Sequence, residues 1–161
     1  MKEKMIYDFS TYGLYYENKI YSDNNPTFSL LLGTLELEYD FKNMELIGVS
    51  GYLPILEENK EKIVLENIVQ ENIVLQLPRN TEINVGDVWS LFDISPQMKK
   101  YFAPLNISYD GKKGIIQLGV NDKGNKRLLK VTNNIFCKLD NKGVIKCLFI
   151  HPDSFINEPK G

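Results

Sequence analysis

Apolar and polar residues alternate with a period of two along much of this chain, and clusters of Asp, Asn, Lys and Gly interrupt the alternation at intervals. That pattern specifies strands with one covered face, joined by tight turns. The clearest case is Leu35-Glu36-Leu37-Glu38-Tyr39, which places Leu35, Leu37 and Tyr39 on one face and both glutamates on the other. Asp40-Phe41-Lys42-Asn43 turns the chain, and Met44 to Tyr52 returns as the partner strand until Pro54 ends it. Gly48 and Gly51 inside that return strand mark a bulge or a close approach of backbone.

The last hairpin predicts its own register. Ile135 to Leu139 leads into Asp140-Asn141-Lys142-Gly143, and Val144 to Phe149 follows. A type I turn with Gly143 in the left-handed region sets Asp140 opposite Val144. Leu139 then faces Ile145, Cys137 faces Cys147 and Ile135 faces Phe149, all on one apolar side. In that register a disulfide between Cys137 and Cys147 is geometrically possible, although two cysteines in a reducing compartment are more often thiols.

Elsewhere the reading is coarser. Glu66-Asn67-Ile68-Val69 and Glu71-Asn72-Ile73-Val74 repeat with a five-residue period that suits two short strands joined by a kink. Ser95 to Ala103 carries a capping serine, Pro96 at the first helical position and Pro104 as a stop, which predicts a helix of about two turns. Residues 56–62 suit either a turn of helix or an exposed acidic loop. Leu35 to Lys42 matches Leu105 to Lys112 at an offset of 70 residues, a pattern open to internal duplication or to two independent hairpin signals. The expected fold is mainly β, an antiparallel β-sandwich or open barrel of meandering hairpins with one or two short helices.

A chain of 161 residues with 43% hydrophobic and 25% charged residues fits a single domain, residues 1–161, with a core of its own. The N-terminus carries no export signal, and no run approaches the roughly 20 apolar residues of a membrane helix, so cytoplasm is the expected compartment, without a membrane partner. The net charge of −2 divides unevenly: residues 1–96 carry −9 and residues 97–161 carry +7. The two halves either neutralise one another or keep separate faces for partners.

Several chemistries lack their residues. With one histidine, His151, and two cysteines, neither a His-based metal cluster nor a recognised zinc spacing exists, and no metal or other cofactor is expected. His151 is also the only histidine base for a nucleophile, and the register above points Cys137 into the core. Gly111, Gly114, Gly119 and Gly124 belong to hairpin turns and lead into no helix, unlike a phosphate loop. Glu36 and Glu38 have the spacing of a glycosidase carboxylate pair, but a solvated strand face gives the same pattern. Catalysis is therefore not the expected activity, and no catalytic residue is assigned.

Binding has more support. Glu57, Glu58, Glu61, Glu66 and Glu71 form an acidic segment suited to a basic protein partner. A small-ligand barrel lined by Tyr7, Tyr12, Tyr15, Tyr16, Tyr52 and Trp89 is a second reading. Nucleic-acid binding is a third, through Lys99, Lys100, Lys112, Lys113, Lys123, Lys126, Arg127 and Lys130, with Tyr101, Phe102 and Tyr109 interleaved.

Residues 107–150 open with Tyr109-Asp110 and close with Asp140-x-x-Gly143 before Phe149-Ile150. This resembles a small bacterial β-domain of unknown function. The closing strand departs from that family in having Lys146, Cys147 and Phe149 where an acidic residue is typical. The resemblance implies a fold and no catalytic residue. The longer pattern Gly33-x-Leu35-x-Leu37-x-Tyr39-Asp40, then Gly48 to Pro54, is similar to small cytoplasmic bacterial proteins of the toxin-immunity type. That likeness implies a non-enzymatic immunity or inhibitor protein that neutralises a basic toxin.

Overall fold

Four hairpin turns begin with an aspartate whose side chain accepts the backbone N–H two residues ahead: Asp8 from Ser10, Asp40 from Lys42, Asp110 from Lys112 and Asp140 from Lys142. This local bond gives the turn a partner for a backbone donor that no ladder satisfies. The computed structural model describes residues 3–17, 26–65, 67–122 and 127–160. Within them the hairpins assemble two mixed sheets and no closed barrel.

The first sheet contains β1 (Lys4–Asp8), β2 (Gly13–Glu17), β3 (Thr27–Leu32), β4 (Leu35–Asp40), β5 (Leu46–Tyr52), β7 (Val88–Ser90) and β13 (Ser154–Ile156). Its order is β13-β1-β2-β5-β4-β3-β7. The second contains β6 (Ile68–Gln70), β8 (Ile107–Asp110), β9 (Ile115–Gly119), β10 (Leu128–Lys130), β11 (Ile135–Leu139) and β12 (Ile145–Ile150), ordered β6-β10-β11-β12-β9-β8. The inner faces share one core, in which Leu30, Leu37, Tyr39 and Val49 of one sheet join Ile116, Leu118, Cys137 and Leu148 of the other. The sheets are not purely antiparallel, because β13, β7 and β6 add in parallel to β1, β3 and β10. Each of these is a short strand that pairs with no strand adjacent in sequence: β6 and β7 follow long connections, and β13 crosses from the second sheet to the first after three residues.

The two sheets repeat one plan. Read from the first strand of each, the orders β1-β2-β5-β4-β3-β7 and β8-β9-β12-β11-β10-β6 superimpose strand for strand. Registers agree as well: Tyr7↔Leu14 corresponds to Tyr109↔Ile116, Leu37↔Val49 to Cys137↔Leu148, and Leu30↔Trp89 to Leu129↔Val69. Both central hairpins carry one extra residue at the same place, Ile47 in β5 and Lys146 in β12. The trailing segment of each half docks on the other half, β13 beside β1 and Lys60 in a parallel bridge to Tyr109 of β8. Strands β1–β5 and β8–β12 thus repeat one plan, and not at the offset of 70 residues. Leu35 to Asp40 belongs with β11, and Ile107 to Asp110 belongs with β1.

The bulge at Lys146 corrects the register expected for the last hairpin. The turn is as expected, with Gly143 at φ +81° and Asp140 N–H bonded to Val144 O at 2.8 Å, and Leu139 faces Ile145. Beyond the bulge Lys138 faces Cys147, Cys137 faces Leu148 and Ile135 faces Ile150. The expectation assumed one solvated face. In fact Ile63 and Leu65 cover the outer face with Ile115, Leu128, Phe136 and Phe149, so β12 is buried throughout and alternation does not select a register. Cys137 and Cys147 consequently lie in different clusters on opposite faces, both as free thiols. The two-turn helix is also shorter than expected. Pro96–Met98 is a 3-10 turn, α2 (Lys99–Phe102) is one turn, and Ser95 caps nothing with its side chain. A further turn, α1 (Leu91–Ile94), precedes it. Of the two strands expected between Ile63 and Leu77, one forms as β6, and Val74 makes only an isolated bridge to Glu45.

Candidate functional site

Of the glutamates in the acidic segment, Glu57, Glu58 and Glu61 lie in or just after one turn, and Glu71 lies at the opposite edge of the second sheet. Glu57 lies in the 3-10 turn Glu57–Asn59 and pairs with Lys60 at 2.8 Å. Glu58 shares that turn and is exposed. Glu61 borders a cavity of about 550 Å³ together with Lys60, Lys62, Lys112 and Lys113. These residues bind the trailing segment of the first half to β8: Glu61 N–H donates to Tyr109 O at 2.9 Å, and Asp110 Oδ2 accepts from Ile63 N–H at 2.9 Å. The Ile63 N–H bond, with those from Lys113 and Lys112, holds the Asp110 carboxyl below its usual range. Glu71, after β6 at the opposite edge of the same sheet, pairs with Arg127 at 3.2 Å. Glu66 lies outside the described residues.

The other candidate sets are dispersed too. Tyr7 is buried with its hydroxyl on Leu53 O, Tyr12 stacks edge-on with Tyr52, and the Tyr16 hydroxyl accepts from Val49 N–H. Tyr15 is exposed on β2, while Trp89 stands at the far end of the sheet on β7. These six aromatics line no common pocket. Phe102 and Tyr109 are buried and Tyr101 donates its hydroxyl to Asp140 at 2.9 Å, so the aromatics among the lysines are committed to the fold. Lys123 and Lys126 lie outside the described residues. Glu36 and Glu38 lie on β4, facing Ser50 and Gly48 of β5. Cys137 is enclosed, its thiol pushed up to about 12 by burial, whereas His151 is exposed beyond β12. Among the described residues no group of three or more His, Cys, Asp or Glu side chains could hold a metal.

A different surface brings chemistry together at the outer end of the first sheet. β7 pairs with β3 on one side, in the register Ser29↔Val88, Leu30↔Trp89 and Leu31↔Ser90. Parallel neighbours share a face, so Trp89 points inward as Leu30 does. Leu30 is fully enclosed; Trp89 is 47% exposed because it lies beyond the cover of the second sheet. Its indole forms one wall of a cavity of about 370 Å³ with Pro78, Asn80, Thr81, Ile83 and Ile94, and Glu82 and Asp93 supply two carboxylates. Asp87 Oδ2 accepts from Trp89 Nε1 at 3.2 Å and from Asn84 N–H at 2.8 Å, which fixes the ring. The Asn84 bond first, and the indole bond second, keep the Asp87 carboxyl below its ordinary range and therefore charged. On the opposite face of this edge Val88 is more than half exposed and Leu31 is 37% exposed, and Val85 in the preceding segment is more than half exposed. Glu82, Asp87 and Asp93 lie around the indole, and the segment 78–94 that carries them has one basic residue, Arg79.

Sequence reading named Trp89 only as one of six barrel aromatics and left Glu82, Asp87 and Asp93 out. The signal available was their spacing: Asp87-x-Trp89 places a carboxylate two residues from the only tryptophan, within an almost cation-free stretch. No protein-family model matches the chain, and no curated protein is significantly similar to it. No described helix is long and apolar enough to cross a membrane.

Proposed function

We propose that this chain is a non-enzymatic protein-binding domain of the bacterial immunity or inhibitor type, acting in the cytoplasm on a basic protein, with the Trp89 edge as its contact surface. The observation that carries this reading is the half-exposed Trp89 on the outermost strand, lining an apolar cavity with Pro78, Ile83 and Ile94 and set among Glu82, Asp87 and Asp93. Tryptophan and flanking apolar groups inside a charged rim are the composition of a binding hot spot. Carboxylates around it favour encounter with a cationic partner. A catalytic reading has less support, since the hydroxyl of Thr81 and the carboxylates of Glu82 and Asp93 line an apolar wall with no histidine, cysteine or lysine among the lining residues to activate a nucleophile.

The test is affinity capture from the native host with the full chain, mass-spectrometric identification of what is retained, and reconstitution with that protein in purified form. The expected result is one basic protein whose binding weakens with salt. Reversing Glu82 and Asp93 to lysine should abolish capture, and reversing Glu58 and Glu61 should leave it. If the second pair matters and the first does not, the contact surface belongs at the Glu57–Asn59 turn instead. If the reconstituted partner is acidic or binds equally in high salt, the reading of a basic partner fails.

A further inference from the structure

We infer that the partner supplies an extended segment that pairs with the free edge of β7 and lays one arginine or lysine side chain across the Trp89 indole. This rests on the protein-binding reading and names how that contact is made. Three independent observations converge on it.

The first is the state of the edge. β7 ends the sheet, and among the described residues its only strand partner is β3. Asp87 gives its carbonyl to Ser29 N–H at 2.8 Å, so alternation along the strand turns the N–H and C=O of Val88 away from β3 and toward the open side. An extended segment lying there finds backbone groups that the fold leaves unpaired.

The second is geometry. A residue opposite Trp89 on an added strand would share its inward face at roughly 5 Å, inside the roughly 6 Å over which a cation is drawn to an indole. The same direction leads into the cavity of about 370 Å³ between Trp89, Ile83 and Ile94, whose apolar walls suit the aliphatic stem of a long basic side chain. Glu82 and Asp93 on the cavity wall would take the charged end, and Asp87 holds the ring in position.

The third is the departure from the repeat. The topological equivalent of Trp89 in the second sheet is Val69, paired with Leu129 as Trp89 is with Leu30 and half-buried against the core, both strands coming from the connection between the repeated units. At the equivalent edge of the second sheet a valine-sized side chain completes the pairing. A tryptophan left 47% exposed there is larger than the packing requires.

Trp89 is the only tryptophan in the chain, so intrinsic fluorescence reports on this site without a label. The probe is a capped seven-residue peptide of alternating threonine and valine with arginine at its centre. It should change the emission saturably, with half-saturation near or below about 1 mM, a weak-complex value. Replacing arginine by its neutral isostere citrulline should weaken binding about 10-fold, in the range of a cation–π contact with nearby carboxylates. Methylating the peptide's backbone nitrogens on the side facing β7 should remove binding altogether. In the whole chain, Trp89→Leu should weaken the reconstituted basic partner at least about 10-fold.

Equal affinity for the arginine and citrulline peptides, indifference to N-methylation, or no saturable change at about 5 mM, a concentration well above a weak Kd, would each overturn the inference. Concentration-dependent dimerisation lost in Trp89→Leu would assign the edge to a second copy and overturn it likewise. If the purified basic partner binds the Trp89→Leu chain as tightly as the natural one, the strand-and-cation contact is wrong while protein binding stands. If no basic protein binds the full chain, the broader reading fails first.

Discussion

Two tyrosines of this core lose the same atom on substitution by phenylalanine and should respond with opposite signs. Tyr39 is fully buried, and its hydroxyl has no hydrogen-bond partner among the described residues. Burial pushes its phenol far above the ordinary range. A buried hydroxyl without a partner carries a desolvation cost of about 1–3 kcal/mol. Tyr39→Phe removes that cost and keeps the ring stacked on Phe28, whose centroid is 5.4 Å away with planes 9° apart. Tyr7 is equally buried, but its hydroxyl donates to Leu53 O at 2.6 Å. Tyr7→Phe gives up that bond and leaves the carbonyl without it, at a cost of about 1–2 kcal/mol. For a chain of this size each kcal/mol moves Tm by roughly 2–4 °C, so the two variants should differ by about 4–20 °C, Tyr39→Phe melting above the natural protein and Tyr7→Phe below it. Thermal unfolding together with urea titration at unchanged m-value measures both. A Tyr39→Phe protein destabilised by about 1 kcal/mol or more would refute the reasoning, because its hydroxyl must then be hydrogen-bonded in solution.

Stability should fall at both ends of the pH range. Asp8, Asp110 and Asp140 have lowered pKa values in the folded chain, so the stability they add is present above their unfolded value of about 3.9 and is lost as pH falls through the folded values; acid titration of Asp110→Asn should show a shallower loss. Tyr16 and Tyr109 are raised to about 12, so their contribution is present below an unfolded value of about 10 and fades as pH climbs from 10 towards 12, readable as delayed phenolate absorbance. Gly119→Ala should cost about 2 kcal/mol or more, since a Cβ there, at φ +88°, would lie 2.5 Å from Lys146 O and 2.6 Å from Phe102 Cε1; chemical denaturation checks it, and an unchanged midpoint would contradict the close approach. Cys137 and Cys147, with thiols raised to about 12 and on opposite faces of the sheet, should give the same mass with and without reductant and react with a thiol reagent at pH 8 only after unfolding.

What was legible in the sequence was local. Asp40, Gly143 and Pro104 announced where strands and the short helical segment end, because turn chemistry depends on residues a few places apart. What was not legible depended on distant partners. The bulge at Lys146 follows from a sheet covered on both sides, and the cover comes from Ile63 and Leu65. Lys138 and Lys146 look like outward residues of alternating strands, yet both are buried, because Asn121 Oδ1 and Asp122 Oδ1 receive their amines at 2.6 Å. The repeat was sought between hairpins that share wording rather than position. Its true signature was present in Tyr7-Asp8 against Tyr109-Asp110 and in Asp40-x-Lys42 against Asp140-x-Lys142. Trp89 could be picked out as an unusual residue, but its place on an edge depends on the parallel pairing of β7 with β3, which no local pattern encodes.

A duplicated fold provides an internal control for separating packing from function. Positions occupied alike in both halves, such as Tyr7 with Tyr109 and Leu30 with Leu129, serve the shared architecture: the two tyrosines join Phe9 and Phe155 in one aromatic cluster where the halves exchange segments. Positions that differ divide into two kinds. Ile47 and Lys146 occupy the same bulge, one 40% exposed and the other buried, and the lysine's amine is matched by Asp122, so that difference is settled within the protein. Val69 and Trp89 occupy the same edge position, and the difference is not settled within it. No described residue covers the half of the indole that remains exposed, about 120 Å² of a side chain that can bury about 250 Å². At about 25 cal/mol per Å² its removal from water is worth about 3 kcal/mol, available only to something that arrives from outside. An asymmetry that the fold neither needs nor compensates is where a partner's requirement is most directly visible, and here it lies on an open strand edge surrounded by carboxylates.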